Sequence, residues 1–250
     1  MPTSTALLSR LLVYQPSQRP TIREGDWLET SFGKCCVKGR LGQRHADVVE
    51  SILHCAEKSR VLSDEGVELL VDPARVRKTL SNSKYSFGQV EKLLGELQEA
   101  TIIIETLQLD FKISGRLIDH VIASRITRPD PLTGGERKLW CVRLGVALVK
   151  LLQHDLCFRY DPAPIARLEH GISQAVARHI QTHRFEPSGG WYLDTVILAV
   201  TGCTSNQVIR DARRRLRADA GKLKGLGVML DGDRLRVLGK QRAGNVKGAA

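Results

Sequence analysis

Apolar residues recur at three- and four-residue spacing in several stretches of this chain, and elsewhere they run together or alternate. In 44–56, Val48, Val49, Ile52, Leu53 and Ala56 fall on one side, the signature of an amphipathic helix. Residues 32–37 have strand character and end in the turn-like Lys38-Gly39-Arg40. Residues 59–66 read as a turn or linker before a short strand at 67–71. Asp72 followed by Pro73 is an N-cap with proline at the first helical position, so a short helix covers 73–80. After a polar turn at 81–85, Ser86 opens a longer helix with Val90, Leu93, Leu94 and Leu97 inside, stopping near Ala100. Residues 101–106 and 107–113 are strand-like with no turn residue between them, and read as one bent strand or a tight hairpin. Residues 115–125 suit helix or strand.

The run Arg128-Pro-Asp-Pro-Leu-Thr-Gly-Gly135 is the strongest breaker cluster and predicts a loop with a wing-like tip. A strand at 139–144, an apolar helix at 146–154 and a short strand at 157–160 follow. Asp161-Pro-Ala-Pro164 is the best linker. The order then restarts. A helix spans 172–182, with Ile172, Ala175, Val176 and Ile180 on one side. A loop at 187–190, a strand at 191–193 and a helix at 195–200 capped by Asp194 lead into a basic helix at 204–225. Strands at 228–230 and 235–238 flank Asp231-Gly232-Asp233, a hairpin turn because Asp-Gly tolerates positive φ.

Residues 44–113 and 165–238 therefore share an order of elements without residue identity. The fold class expected is α+β, mainly α, with two tandem winged-helix domains, each a helix-turn-helix plus a β-hairpin. The division expected is an N-terminal arm at 1–30, a first winged-helix domain with a strand–helix–strand connector at 31–160, a second at 161–238, and a flexible basic tail at 239–250.

Charge sharpens this picture. The net charge is +11, and residues 165–250 hold fifteen Lys+Arg against seven Asp+Glu, which leaves most of the excess in the C-terminal third. A polyanion suits such a surface, nucleic acid being the commonest. In the basic helix, Val208, Ile209, Ala212, Leu216 and Leu223 form a narrow apolar stripe, while Asn206, Arg210, Arg213, Arg214 and Arg217 lie on another face. Asn206 and Gln207 occupy the first turn, where a recognition helix meets base edges and an amide side chain can bond adenine bidentately. The arginines behind them reach phosphates or guanine. An ordinary solvated basic face has the same composition.

The six cysteines contain no C-x-x-C pair, and several sit in apolar runs, as reduced core thiols do. With no secretory h-region and no apolar run of about 18 residues, the expected location is cytoplasmic, associated with nucleoid or plasmid DNA. Aromatic residues make up 5% of the chain, too few for a base-stacking platform. No phosphate-binding loop and no nucleophile elbow occurs. His179 and His183 are four apart without a third ligand, and two histidines at a helix C-terminus suit its dipole. No tyrosine nucleophile accompanies a His-hydrophobic-His motif. The expectation is a binding protein and not an enzyme, with no cofactor and no metal.

Three stretches resemble the tandem winged-helix plasmid replication initiators of the TrfA-like and IncQ RepC-like type. They are VELLVDPARVRKTLSNSKYSFGQVEKLLGELQEATIII, ISQAVARHIQTH and WYLDTVILAVTGCTSNQVIRDARRRLRADAGKLKGLGVML. The resemblance is one of pattern over residues 44–238. It implies binding to direct repeats (iterons) of double-stranded DNA at an origin, melting of an A·T-rich region and recruitment of a host replicative helicase or initiator, without covalent chemistry. It places base reading on Asn206, Gln207 and Arg210, with Arg213, Arg214 and Arg217 beside them. Its first-domain counterparts are Lys84, Tyr85, Gln89 and Lys92, with Arg75, Arg77 and Lys78 on the backbone, and that domain also contributes to a homodimer. The long 128–135 loop departs from the pattern. A transcriptional repressor built from the same two domains is the second reading, and an RNA-binding or nucleoid-type structural protein the third.

Overall fold

The computed structural model describes residues 1–80, 85–130 and 134–238. The basic tail, four residues of the polar turn and the tip of the 128–135 loop lie outside them. The chain runs β1 (Ser4–Thr5), α1 (Ala6–Arg10), β2 (Arg23–Thr30), β3 (Gly33–Gly39), α2 (Gln43–Cys55), β4 (Ala56–Val61), β5 (Val67–Val71), α3 (Pro73–Thr79), α4 (Phe87–Glu99), β6 (Thr101–Glu105) and β7 (Ile113–Gly115). It continues through β8 (Ile118–Pro129), β9 (Glu136–Leu144), α5 (Val146–His154), β10 (Cys157–Phe158), α6 (Ala163–Ala166), α7 (Gly171–Gln181), β11 (Trp191–Tyr192), α8 (Leu193–Thr201), α9 (Asn206–Ala218), α10 (Ala220–Gly225), β12 (Val228–Asp231) and β13 (Arg234–Val237). The fold is α+β, with helix the larger share at 39% against 31% strand.

Two apolar cores organise the molecule. The first gathers side chains from Leu7 to Leu151, and the second from Ile165 to Leu235. In the second, α7, α8 and α9 pack on a three-stranded sheet of order β11-β13-β12, so the strand before the helix-turn-helix pairs with the last strand of the hairpin. The same order recurs in the first half as β5-β9-β8, extended at one edge by β4. Helices α2, α3 and α4 lie in the positions of α7, α8 and α9. Both halves are winged-helix-like.

The hairpin of the first winged helix is β8–β9, and the expected pair at 101–113 is something else. Strand β6 pairs with β3 on one side and β7 on the other, in a separate sheet of order β2-β3-β6-β7. Residues 107–112 form a turn and bend with Leu107 fully exposed, so their apolar content does not make a strand. Residues 115–125 resolve largely as β8. Arg128 and Pro129 of the expected loop are the end of β8, and the segment after them joins β8 to β9, the position of a wing.

The first thirty residues are not an arm. Leu7, Leu8, Leu11, Leu12, Val13 and Tyr14 are buried in the first core, and β2 is an edge strand of the second four-stranded sheet. Strand β1 pairs with β10, Ser4 facing Phe158. The expected linker at 161–164 leads directly into α6, with Ile165 and Ala166 buried. The basic helix is two helices. It breaks at Asp219, whose carboxylate accepts the backbone N–H groups of Glu169 (3.1 Å) and His170 (3.0 Å).

The halves meet through their first helices. Arg178 on α7 donates to Glu50 (2.9 and 2.8 Å), Gln43 (2.7 Å) and Asp47 (2.5 Å) on α2. Gln174 donates to Asp47 (2.9 Å), Tyr160 to Glu50 (2.6 Å), and Tyr85 to Asp47. Burial opposes the charge of Arg178, and Glu50 and Asp47 overcome it, holding its pKa above the ordinary arginine value. Buried charges persist only when paired and hydrogen-bonded in this way.

Candidate nucleic-acid interface

Helix α8 ends at Gly202, whose φ of 64° is the left-handed cap that ends many helices. A β-carbon there would also stand 2.5 Å from Leu12 Cδ1. The chain turns through Cys203–Ser205 and enters α9. Ser205 holds the N-cap position without a side-chain hydrogen bond.

One side of α9 is dry. Ala212 and Leu216 are buried and Ile209 packs against the second core. Val208 is 37% exposed and stands outside the stripe, which is narrower than the sequence pattern. Leu223 reaches the same core from α10. The other side holds Asn206, Gln207, Arg210, Arg214 and Arg217, all exposed. The side chains of Asn206 and Arg210 make no hydrogen bond or ion pair among the described residues, so their polar groups face solvent. Gln207 donates to Asp211 (3.1 Å), and Arg214 pairs with the same carboxylate (3.1 Å). Such surface contacts are worth about 0–1 kcal/mol and exchange readily.

Arg213 is different. Its guanidinium forks onto both oxygens of Asp194 on α8, at 2.6 and 2.7 Å. That hydrogen-bonded carboxylate raises the Arg213 pKa. Asp194, expected as a helix cap, lies instead in the first turn of α8 and holds α9. Arg213 therefore positions the helix and is occupied. Arg215, which the sequence reading passes over, is exposed on the flank opposite Arg217. Its signal was present in the Arg213–Arg217 run.

The first domain does not repeat this face. Lys84 lies outside the described residues. Tyr85 is 2% exposed and its hydroxyl donates to Asp47, so it cannot meet a base. Gln89 closes a capping box. Its side chain accepts the Ser86 N–H (2.9 Å) and its own N–H donates to the Ser86 hydroxyl (3.2 Å). Lys92 is exposed, but α4 also carries Glu91, Glu96 and Glu99. Helix α4 thus lacks the basic face of α9. Lys78 is exposed and Arg77 half-buried on α3. Arg75 pairs with Glu57 (3.4 Å), which also holds Arg128 of β8 (2.6 Å). Arg137 of β9 forks onto Asp72, the N-cap of α3, at 3.1 and 2.7 Å. Arg75, Arg128 and Arg137 thus gather between α3 and the β8–β9 hairpin, which sequence spacing could not bring together.

No protein-family model matches the chain, and no curated protein matches it. The chain folds like domains 2-3 of RctB. The crystal structure of those domains superposes with a TM-score of 0.53 at 10% identity, covering 91% of this chain and 84% of that one. At this identity the likeness is one of fold, and it does not single out the TrfA-like or RepC-like type. Among the described residues no helix is long and apolar enough to cross a membrane.

Proposed function

We propose that this chain binds double-stranded DNA by sequence and initiates replication of a plasmid or mobile element at direct repeats. The observation that carries this reading is the wet face of α9, with Asn206, Gln207, Arg210, Arg214 and Arg217 exposed on the third helix of a winged helix. That helix is the one that enters a major groove in helix-turn-helix proteins. Asn206 and Arg210 have the chemistry to read adenine and guanine edges, and Arg214 and Arg217 to meet phosphates. The fold likeness to a replication initiator supports the same reading. The protein acts by binding and not by covalent chemistry. It works with the DNA in the cytoplasm, hands the opened origin to a host helicase or initiator, and forms a homodimer.

Selection of the purified protein against random duplexes tests this. An initiator returns direct repeats, whereas a dimeric repressor returns an inverted repeat, because half-site symmetry mirrors protein symmetry. On the selected site, Asn206→Ala or Arg210→Ala costs about 1–3 kcal/mol and relaxes specificity. Arg214→Ala weakens binding on every sequence and lowers the salt slope by about 0.9. Unchanged binding in all three variants removes α9 from the interface.

A further inference from the structure

The hairpin of the second winged helix ends in an acidic tip. Gly232 and Asp233 turn the chain between β12, which ends at Asp231, and β13, with Gly232 at the positive φ (57°) the turn needs. The tip is fixed in place, since the N–H of Leu193 at the start of α8 donates to the Asp233 carbonyl at 2.9 Å. So anchored, the Asp233 carboxylate faces α9. One of its oxygens lies 3.6 Å from Arg213 Nη1 and 3.9 Å from Arg217 Nη2. Arg213 is already committed to Asp194, so Arg217 is the guanidinium that Asp233 can give up. Asp231 pairs within the hairpin instead, with Arg236 at 3.3 Å.

We infer that Asp233 is an internal phosphate mimic that occupies Arg217 in the free protein and yields it to the DNA backbone on binding. This rests on the reading of α9 as the DNA-facing helix. The hairpin tip therefore competes with backbone phosphates for Arg217. Its carboxylate sets how readily the arginine row engages DNA. The side chains of Arg217 and Asp233 are 60% and 65% exposed, and a pair this exposed is weak enough to exchange when the correct site seats α9 deeply. On a mismatched duplex the helix sits higher, Arg217 stays with Asp233, and one phosphate contact is missing. Asp233 is thus a specificity-determining residue: it lowers affinity for random sequence more than for the true site.

The test measures binding of the full chain to a random-sequence duplex and to the selected site across a salt series. Asp233→Asn should bind random duplex about three- to tenfold tighter at about 50 mM salt. Its log K against log salt slope should steepen by about one, the signature of one added phosphate contact. The ratio of specific to random affinity should fall. Asp231→Asn removes the same charge from the same tip and should do markedly less. Combining Asp233→Asn with Arg217→Ala should abolish the gain, because no guanidinium is left to release. Asp233→Ser, which also suits the turn, supplies a second variant should the asparagine fail to fold. The inference is overturned if both Asp233 variants stay within about twofold of the parent on random duplex. It is equally overturned if Asp231→Asn matches them, or if the gain survives Arg217→Ala. Its failure leaves the losses from Arg210→Ala and Arg214→Ala intact, whereas failure of the α9 reading removes those losses too.

Discussion

Arg213 and Arg214 are neighbours in sequence with opposite roles. Arg213 is clasped by Asp194 and fixes the pose of α9, while Arg214 stands in solvent with only a same-helix partner. Two basic residues on one helix face are therefore not equivalent, and the difference lies in a carboxylate on another helix. His179 makes a similar point about burial. It is 4% exposed, with its Nε2 3.1 Å from that of His183, within hydrogen-bond distance. Burial first, then Arg10, pushes the His179 pKa down to about 4. An unfolded histidine titrates near 6.5, so the unfolded chain takes up the proton first as pH falls. The stabilising contribution is full above about pH 6.5 and is lost progressively towards pH 4, an effect of about 3 kcal/mol. Burial lowers the pKa of His45 as well, which adds to the loss in the same direction. Urea unfolding at pH 7 and pH 4.5 should show this decline, and His179→Gln should flatten it.

At the scale of elements, the helices follow local rules and the strand partners do not. The capping box of Ser86 and Gln89 and the Asp72-Pro73 start both set helix beginnings from adjacent residues. Helix α5 and the 231–233 turn were legible for the same reason. Strand pairing depends on distant sequence, and there the reading went astray. Residues 101–113 looked like a wing because they follow α4 directly. They instead complete a sheet begun by β2 and β3, and the wing waits until β8 and β9. The apolar residues 107–113 carried a strand signal, but only Ile113 finds a partner strand. The candidate site divided along the same line. The exposed row of α9 was readable from helical spacing alone, whereas the burial of Tyr85 depends on α2. Tyr85→Phe tests that placement. It removes a hydrogen bond to a buried carboxylate and should cost about 1.5–3 kcal/mol in unfolding experiments. DNA affinity of the folded variant should not change, as it would if the hydroxyl met a base.

At the scale of the whole molecule, the two winged helices are joined by a charged junction and not by apolar packing alone. Arg178 faces Asp47 and Glu50 with all three side chains at most 4% exposed. Removing the cation strands two carboxylates in a dry interface. Arg178→Ala should therefore cost about 3–5 kcal/mol, and calorimetry should show one unfolding transition for the parent protein and two for the variant. A triple replacement, Arg178→Met with Asp47→Asn and Glu50→Gln, should recover most of the loss, because burying neutral groups of similar size carries no comparable desolvation cost.

The closure of β1 on β10 has a bearing on how the molecule is made. Thr3 and Tyr160, bonded beside that pair, stand 157 residues apart in sequence. A ribosome adding about 5–20 residues per second needs on the order of ten seconds between the two. Throughout that interval Leu7, Leu8, Leu11 and Leu12 are already synthesised, while the strand that β1 pairs with does not yet exist. Over that interval the apolar stretch waits on a strand that is made later, a natural target for ribosome-associated chaperones.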